Sequence, residues 1–186
     1  RNEVTEDLTP EQLNSLLLAI ESDKHPIAGN MMKLALFSGM RRGEMFKLKW
    51  KHLDFNKNII ELKDPKGGKD QKIPMSQAAK ELLQSITKTK IAGTTQTSPF
   101  VFPGRWGRQR TILTHTKVIR DNAGLPKTWR PLHGLRHYYA TTLANSGKVS
   151  MYKLQRLLTH KNPTTTQRYA HLRDKAMKEA SDVAGE

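Results

Sequence analysis

Apolar residues first settle into a regular rhythm near the start of the chain. Leu13, Leu16, Leu17 and Ile20 recur at steps of three and four, the period of one face of an α-helix. Thr9-Pro10-Glu11-Gln12 stands just ahead of them. Thr9 supplies a hydroxyl for the first turn, Pro10 lacks only an N–H that has no partner there, and Gln12 closes a capping box. A second helix is predicted over 28–38, stopped by Gly39, and a short third over 43–48. Ile59-Ile60-Glu61-Leu62 and Gln71-Lys72-Ile73-Pro74 then read as two short strands, with the turn-rich Lys66-Gly67-Gly68-Lys69-Asp70 joining them as a hairpin. Ser76 caps a helix reaching about residue 87, 93–99 is a loop, and a helix over 114–123 ends at Gly124. The last third is helical: 133–146 up to Gly147, 150–159 behind Ser150, and 173–183. No internal repeat interrupts this order. The expected class is mainly α with a small antiparallel β-sheet (α+β).

Composition narrows the picture. The chain has 186 residues, enough for one domain with a core that needs no staples. Its longest apolar run, Leu16 to Ile20, is far short of the ~18 residues of a membrane span, and no signal peptide is visible, so no membrane partner is expected. Lysine and arginine total 32 against 17 acidic residues, a net charge of +15. A domain this basic points to a polyanion, with nucleic acid as the default, although a solvated basic surface gives the same count. There is no cysteine, which excludes disulfides, a thiolate nucleophile and Cys-based zinc sites, and is compatible with a cytoplasmic, nucleoid-associated location. The chain opens on Arg1 and not Met, so a longer parent protein is expected.

Four segments carry candidate chemistry: Ser38-Gly39-Met40-Arg41-Arg42-Gly43-Glu44, the hairpin with Lys66, His133-Gly134-Leu135-Arg136-His137, and Leu157-Leu158-Thr159-His160 followed by Thr166-Gln167-Arg168-Tyr169. Together they offer two arginines, a lysine, histidines and a tyrosine, with no accompanying carboxylate cluster for magnesium. That set suits phosphoryl transfer without metal. Arginine presents a planar fork to phosphate oxygens, and lysine or histidine can move protons. His133 and Arg136 share a helix face. His133 and His137, four apart, invite a zinc reading, but Gly134 stands where the metalloprotease pattern needs glutamate, so neither metal nor cofactor is expected. Singly, each feature has a plainer reading: a solvated arginine pair, a turn lysine, a packed tyrosine, and for His137 a cap or a core contact. Their combination, in this order, carries the argument.

From Thr9 to about His171 the sequence resembles the tyrosine recombinases, the group that includes phage integrases. The box around the family's first arginine is similar to Gly39-Met40-Arg41-Arg42-Gly43-Glu44, its hairpin lysine to Lys66, and its His-x-x-Arg pair to His133 and Arg136. Leu158-Thr159-His160 and Thr166-Gln167-Arg168-Tyr169-Ala170-His171 match its last two motifs. The resemblance implies Arg41, Lys66, His133, Arg136, His160 and Tyr169 as catalytic residues, with Glu44 and His137 in support; Lys69 and Lys72 lie close enough to Lys66 to compete for its place. Met40 and Thr159 depart from the commoner Leu and Gly, and neither is expected to touch the chemistry.

The resemblance further implies a mechanism. Tyr169 attacks a phosphate of double-stranded DNA, His133 takes its proton, Arg41 and Arg136 hold the non-bridging oxygens, His160 adds a hydrogen bond, and Lys66 protonates the leaving 5′-oxygen. The product is a 3′-phosphotyrosyl enzyme that a new 5′-hydroxyl can resolve. Residues 1–8 would then be a linker from an upstream DNA-binding domain, 9–172 the catalytic domain, and 173–186 a C-terminal helix that packs in cis or on a neighbouring protomer of a tetrameric synapse. A type IB topoisomerase shares most of this chemistry, and a DNA-binding module without catalysis shares the charge. The spacing from His133 to Tyr169 argues against the first and the intact residue set against the second.

Overall fold

Gln12 gives its backbone N–H to Thr9 Oγ1 at 3.2 Å, and Thr9 gives its own to Gln12 Oε1 at 2.9 Å. Helix α1 (Pro10–Ser22) therefore begins in the reciprocal cap that its sequence predicts. The computed structural model describes residues 7–63 and 68–184. Helix α2 (Ala28–Ser38) follows and stops at Gly39, whose φ of 65° is the left-handed turn that glycine adopts without strain. Met31, Met32, Leu34 and Ala35 of α2 are fully buried, so this helix is apolar on most sides and forms the centre of the molecule. Helices α1, α4 (Gln77–Ser85), α5 (Thr116–Asn122) and α6 (Pro131–Asn145) all pack against it.

Between α3 (Arg42–Lys47) and α4 lies a three-stranded antiparallel sheet of β1 (Leu53–Asp54), β2 (Ile59–Leu62) and β3 (Gln71–Pro74), in that order. The hairpin is the predicted one. Ile60 pairs with Ile73 and Leu62 with Gln71, and Ile60, Leu62 and Ile73 turn inward to the core. Lys63 and Asp70, joined at 2.8 Å, close its open end. Lys66 and Gly67 lie outside the described residues.

The rest is helical. Helix α7 (Met151–Leu157) packs on α6 and touches β3, α8 (Pro163–Gln167) packs on α7, and α9 (Ala170–Ala184) returns along α6. Helix α6 begins two residues earlier than its apolar pattern suggests, because Pro131 serves as its first residue. Helix α9 starts at Ala170 and not at 173, directly after Tyr169. Four short elements escape the periodic pattern: β1, only two residues long, α8, a single turn begun by Asn162 and Pro163, and the 3-10 turns Trp50–His52 and Arg105–Gly107. No helix among the described residues is long and apolar enough to cross a membrane.

One polar joint sets the position of α5. His115 Nε2 contacts both carboxylate oxygens of Asp23, at 2.9 and 3.0 Å, and its ring stacks on His25 with centroids 4.4 Å apart. His25 Nδ1 in turn accepts the Ile27 and Ala28 N–H groups at the head of α2. The α1–α2 turn and the start of α5 are thereby tied together.

Candidate active site

Arg41 precedes α3 in extended conformation, which turns its side chain off the helix and toward the end of α7. Glu44, almost fully buried, accepts the Arg41 backbone N–H at 2.8 Å and its Nη1 at 2.9 Å. Arg41 also gives hydrogen bonds to the Thr159 carbonyl, from Nη1 and Nη2 at 3.3 Å each, and to the Thr159 hydroxyl. Arg136 projects from α6 into the same region and gives hydrogen bonds to the carbonyls of Gly39 and Leu158. The successive carbonyls of Leu158 and Thr159 thus hold one guanidinium each. This explains why the Leu-x-His segment belongs to the site beyond its histidine.

Thr159 corrects an expectation. It was expected to stand apart from the chemistry, yet it is buried against both Arg41 and Glu44, with a positive φ of 53°. The reason is the turn after α7: the left-handed residue that redirects the chain to His160 also points its side chain back at Arg41. Gly39 is constrained by contact as well as by φ, since a Cβ there would come within 2.4 Å of Tyr139. Gly134 is constrained likewise, because a Cβ would meet the Trp129 indole at 2.4 Å. The glutamate absent from the zinc pattern therefore has no room.

The two arginines crowd one another. Burial, and then the charge of Arg41, lower the Arg136 guanidinium from its ordinary value to about 10, so it stays charged at neutral pH. His160 is half-buried beside them. Burial first, then Arg136, Arg41 and Arg168, pull its pKa down to about 4, so it is a neutral ring at pH 7. Its Nδ1 lies 2.8 Å from the Thr166 hydroxyl, which can give to that nitrogen and leave the proton on Nε2.

Tyr169 sits between α8 and α9 with its ring packed among Ala140, Ala144, Leu154 and Leu158, and is 5% exposed. Its hydroxyl is 3.0 Å from His137 Nδ1, and Arg168 stands over its ring at 5.4 Å. His137, for which the residues alone suggest a cap or a core contact and the resemblance a supporting place in the site, faces this hydroxyl, because α6 presents residues 133, 136 and 137 toward the same side. Tyr138 and Tyr139 lie on α6 and Tyr152 on α7.

Arg41, His133, Arg136, His137, His160 and Tyr169 line one cleft of about 870 Å³, with Glu44 and Thr159 behind its wall. Arg42, Lys117, Arg120, Lys127, Arg130 and Arg168 add positive charge, and among the described residues none that lines the cleft is acidic. Among them Arg120 is structural as well, giving hydrogen bonds to Lys127 and Trp129 carbonyls and so bracing the turn before α6. This cationic wall was visible in sequence only as net charge. Among the described residues no group of three or more His, Cys, Asp or Glu could hold a metal ion. Lys66, placed by resemblance in the hairpin turn, lies outside the described residues, while Lys69 is exposed and Lys72 pairs with Glu61 at 3.6 Å.

Known proteins share this fold. Tyrosine recombinase XerA of Pyrococcus furiosus is 32% identical over 184 aligned residues, covering 95% of this chain and 61% of the relative. The crystal structure of XerA recombinase superposes with a TM-score of 0.73 at 25% identity, over 99% of this chain and 65% of that one. A structure of the Tn1549 transposon integrase in complex with circular intermediate DNA gives 0.71 at 26% identity, over 87% of this chain and 61% of that one. The chain thus spans about three fifths of the length of the curated relatives it matches. The phage integrase family profile matches residues 6–176, nearly the whole chain, and the chain belongs to that family.

Proposed function

We propose that this chain is the catalytic part of a site-specific DNA recombinase, acting on double-stranded DNA through a 3′-phosphotyrosyl intermediate on Tyr169 without metal or nucleotide cofactor. The observation that carries this reading is the convergence of Arg41, Arg136, His160 and Tyr169 in a single cleft whose charged lining, among the described residues, is all cationic. A phosphodiester entering it meets two guanidinium forks already held by carbonyls and by Glu44. They need no reorganisation as charge builds on the non-bridging oxygens. Neutral His160 offers its Nε2–H to the same oxygens, and His133, exposed in the cleft, offers another donor. Lys66 protonates the departing 5′-oxygen. The ester formed on Tyr169 keeps the energy of the phosphodiester, so a 5′-hydroxyl from another strand can reverse the step.

In this reading residues 1–8 lead from an upstream DNA-binding domain, 9–172 form the catalytic domain, 173–186 are a C-terminal segment whose helix packs in cis along α6, and the full-length protein assembles as a tetrameric synapse on DNA. The decisive experiment uses a nicked suicide duplex and a denaturing gel. Tyr169→Phe keeps the ring and its packing and removes the attacking oxygen. It should retain DNA binding and abolish the covalent band. A band that persists would transfer the nucleophile to Tyr138, Tyr139 or Tyr152.

A further inference from the structure

We infer that His137 takes the proton from Tyr169, and that Asp7 holds His137 in the tautomer this requires; the inference rests on the recombinase reading and assigns one step within it. His137 contacts a carboxylate through one ring nitrogen and the nucleophile through the other. Nε2 lies 2.9 Å from Asp7 Oδ1, and Nδ1 lies 3.0 Å from the Tyr169 hydroxyl. An ionised carboxylate only accepts hydrogen bonds, so Nε2 carries the proton. A neutral ring then has its lone pair on Nδ1, and the Tyr169 hydroxyl is the donor. Nucleophile, base and orienting acid stand in line, at the separations expected of an activated nucleophile.

The step balances as follows. The Tyr169 O–H bond breaks and its proton passes to His137 Nδ1. The phenolic oxygen bonds to phosphorus while the bond from phosphorus to the 5′-oxygen breaks, and that oxygen leaves as a hydroxyl with a proton from Lys66. The positive charge left on His137 faces Asp7. His137 is thus a catalytic residue, because it touches the reacting oxygen, and Asp7 is a positioning residue. His133, four residues earlier on α6 and exposed in the cleft, is left to hydrogen-bond the phosphate. Asp7 is 130 residues from His137 and lies in the segment that leads into α1. The segment entering the domain therefore contributes to how its nucleophile is activated.

The groups about the pair are Asp7 from that segment, His133 and Arg136 from α6, Arg168 beside Tyr169, and Arg41 and Arg42 at the head of α3. His160 lines the same cleft and, with its pKa near 4, titrates well below an ordinary imidazole. Substituting His137 and His133 in turn assigns the acid limb of the pH profile to one or the other.

The test measures covalent-adduct formation by the whole chain on a nicked suicide duplex, from pH 5 to 9, with folding checked by thermal melting. His137→Gln should slow the step by about 10²–10⁴-fold, the usual worth of a positioned base. It should also remove the acid limb, leaving a rate that climbs steadily with pH. Replacing Tyr169 by difluorotyrosine, whose more acidic phenol needs less help, should restore much of the His137→Gln rate at neutral pH and none of the Arg41→Ala rate. Asp7→Asn keeps an oxygen for Nε2–H but loses the charge that stabilises the imidazolium. Its acid limb should move to lower pH with a smaller loss of rate, and this exposed position carries little risk to folding. A His137→Gln loss that is uniform across pH and unrelieved by difluorotyrosine would mean a packing role and overturn the inference. Full activity of His137→Gln would overturn it too, while leaving the recombinase reading intact. No adduct from the unsubstituted chain would sink both.

Discussion

The Thr159 hydroxyl gives a hydrogen bond to Glu44 Oε1 at 3.0 Å, and Arg41 gives one to each of them. One hydroxyl thus closes a triangle between a buried acid and an arginine of the cleft that lie 115 and 118 residues away in sequence. The contact exists because Thr159 adopts φ 53°, a conformation that disfavours a β-branched residue. Such backbone strain costs on the order of 1–3 kcal/mol. Glycine would avoid that cost and lose the triangle.

Substitution at Thr159 should separate stability from activity. Thr159→Val keeps the shape and removes the hydroxyl, so Glu44 loses a donor and Arg41 an acceptor in a buried place. A hydrogen bond to a charged group is worth about 1.5–3 kcal/mol. Adduct formation should slow about 10- to 100-fold, at about 1.4 kcal/mol per tenfold. Thr159→Ser should recover most of that rate. Thr159→Gly should melt no lower than Thr159→Val, because it relieves the strain, yet cleave as slowly. Unchanged single-turnover cleavage by Thr159→Val would show that Glu44 and the carbonyls hold Arg41 unaided.

What the sequence made legible was local. The reciprocal cap of Thr9 and Gln12, the stop at Gly39 and the hairpin of Ile60 with Ile73 depend on residues close along the chain, and all appear where expected. The resemblance likewise placed Arg41, His133, Arg136, His160 and Tyr169, which the fold gathers into one cleft. The contacts it missed are long-range. Nothing near Thr159 announces Arg41, and nothing near His137 announces both Asp7 and Tyr169. Helix α8 was missed for the opposite reason: its only signals, Asn162, whose Oδ1 accepts the Thr164 N–H, and Pro163 after it, are too brief to form a period.

His160 leads to a prediction about stability and pH. Its folded pKa, about 4, lies below the ordinary histidine value because burial and three arginines oppose its charge. Between those values the unfolded chain binds a proton that the folded chain does not, so stability rises with pH through this window and falls as pH drops from neutrality toward 4. Asp23, lowered chiefly by its hydrogen bond to His115, and His25 and His52, lowered chiefly by burial, act in the same direction. His160→Asn removes one contributor and should flatten the decline. Melting temperatures at pH 7 and pH 5 should differ less in the variant than in the unsubstituted chain. An equal or larger difference would mean that His160 is not held neutral by its surroundings.

The hairpin lysine gives the last prediction. β2 and β3 pair through Leu62 and Gln71, and Lys63 pairs with Asp70 at 2.8 Å. Lys72 pairs with Glu61 in the strand, so in the proposed mechanism the candidates for general acid are Lys66 and Lys69. Removing a positioned acid costs about 10²–10⁴-fold. Lys66→Ala should therefore slow cleavage by that factor, with little change in DNA affinity, since one phosphate contact among many is lost. A rate alone cannot tell a proton donor from a positioning charge. A substrate with sulfur at the 5′-bridging position can, because a thiolate leaves well without a proton. On it Lys66→Ala should cleave nearly as fast as the unsubstituted chain. Arg41→Ala should stay slow, because its target is the non-bridging oxygens. Rescue of Lys69→Ala in place of Lys66→Ala would move the acid three residues along the turn. Rescue of neither would assign the turn lysines to holding DNA, and the proton would then have to come from within the cleft, where His133 is exposed.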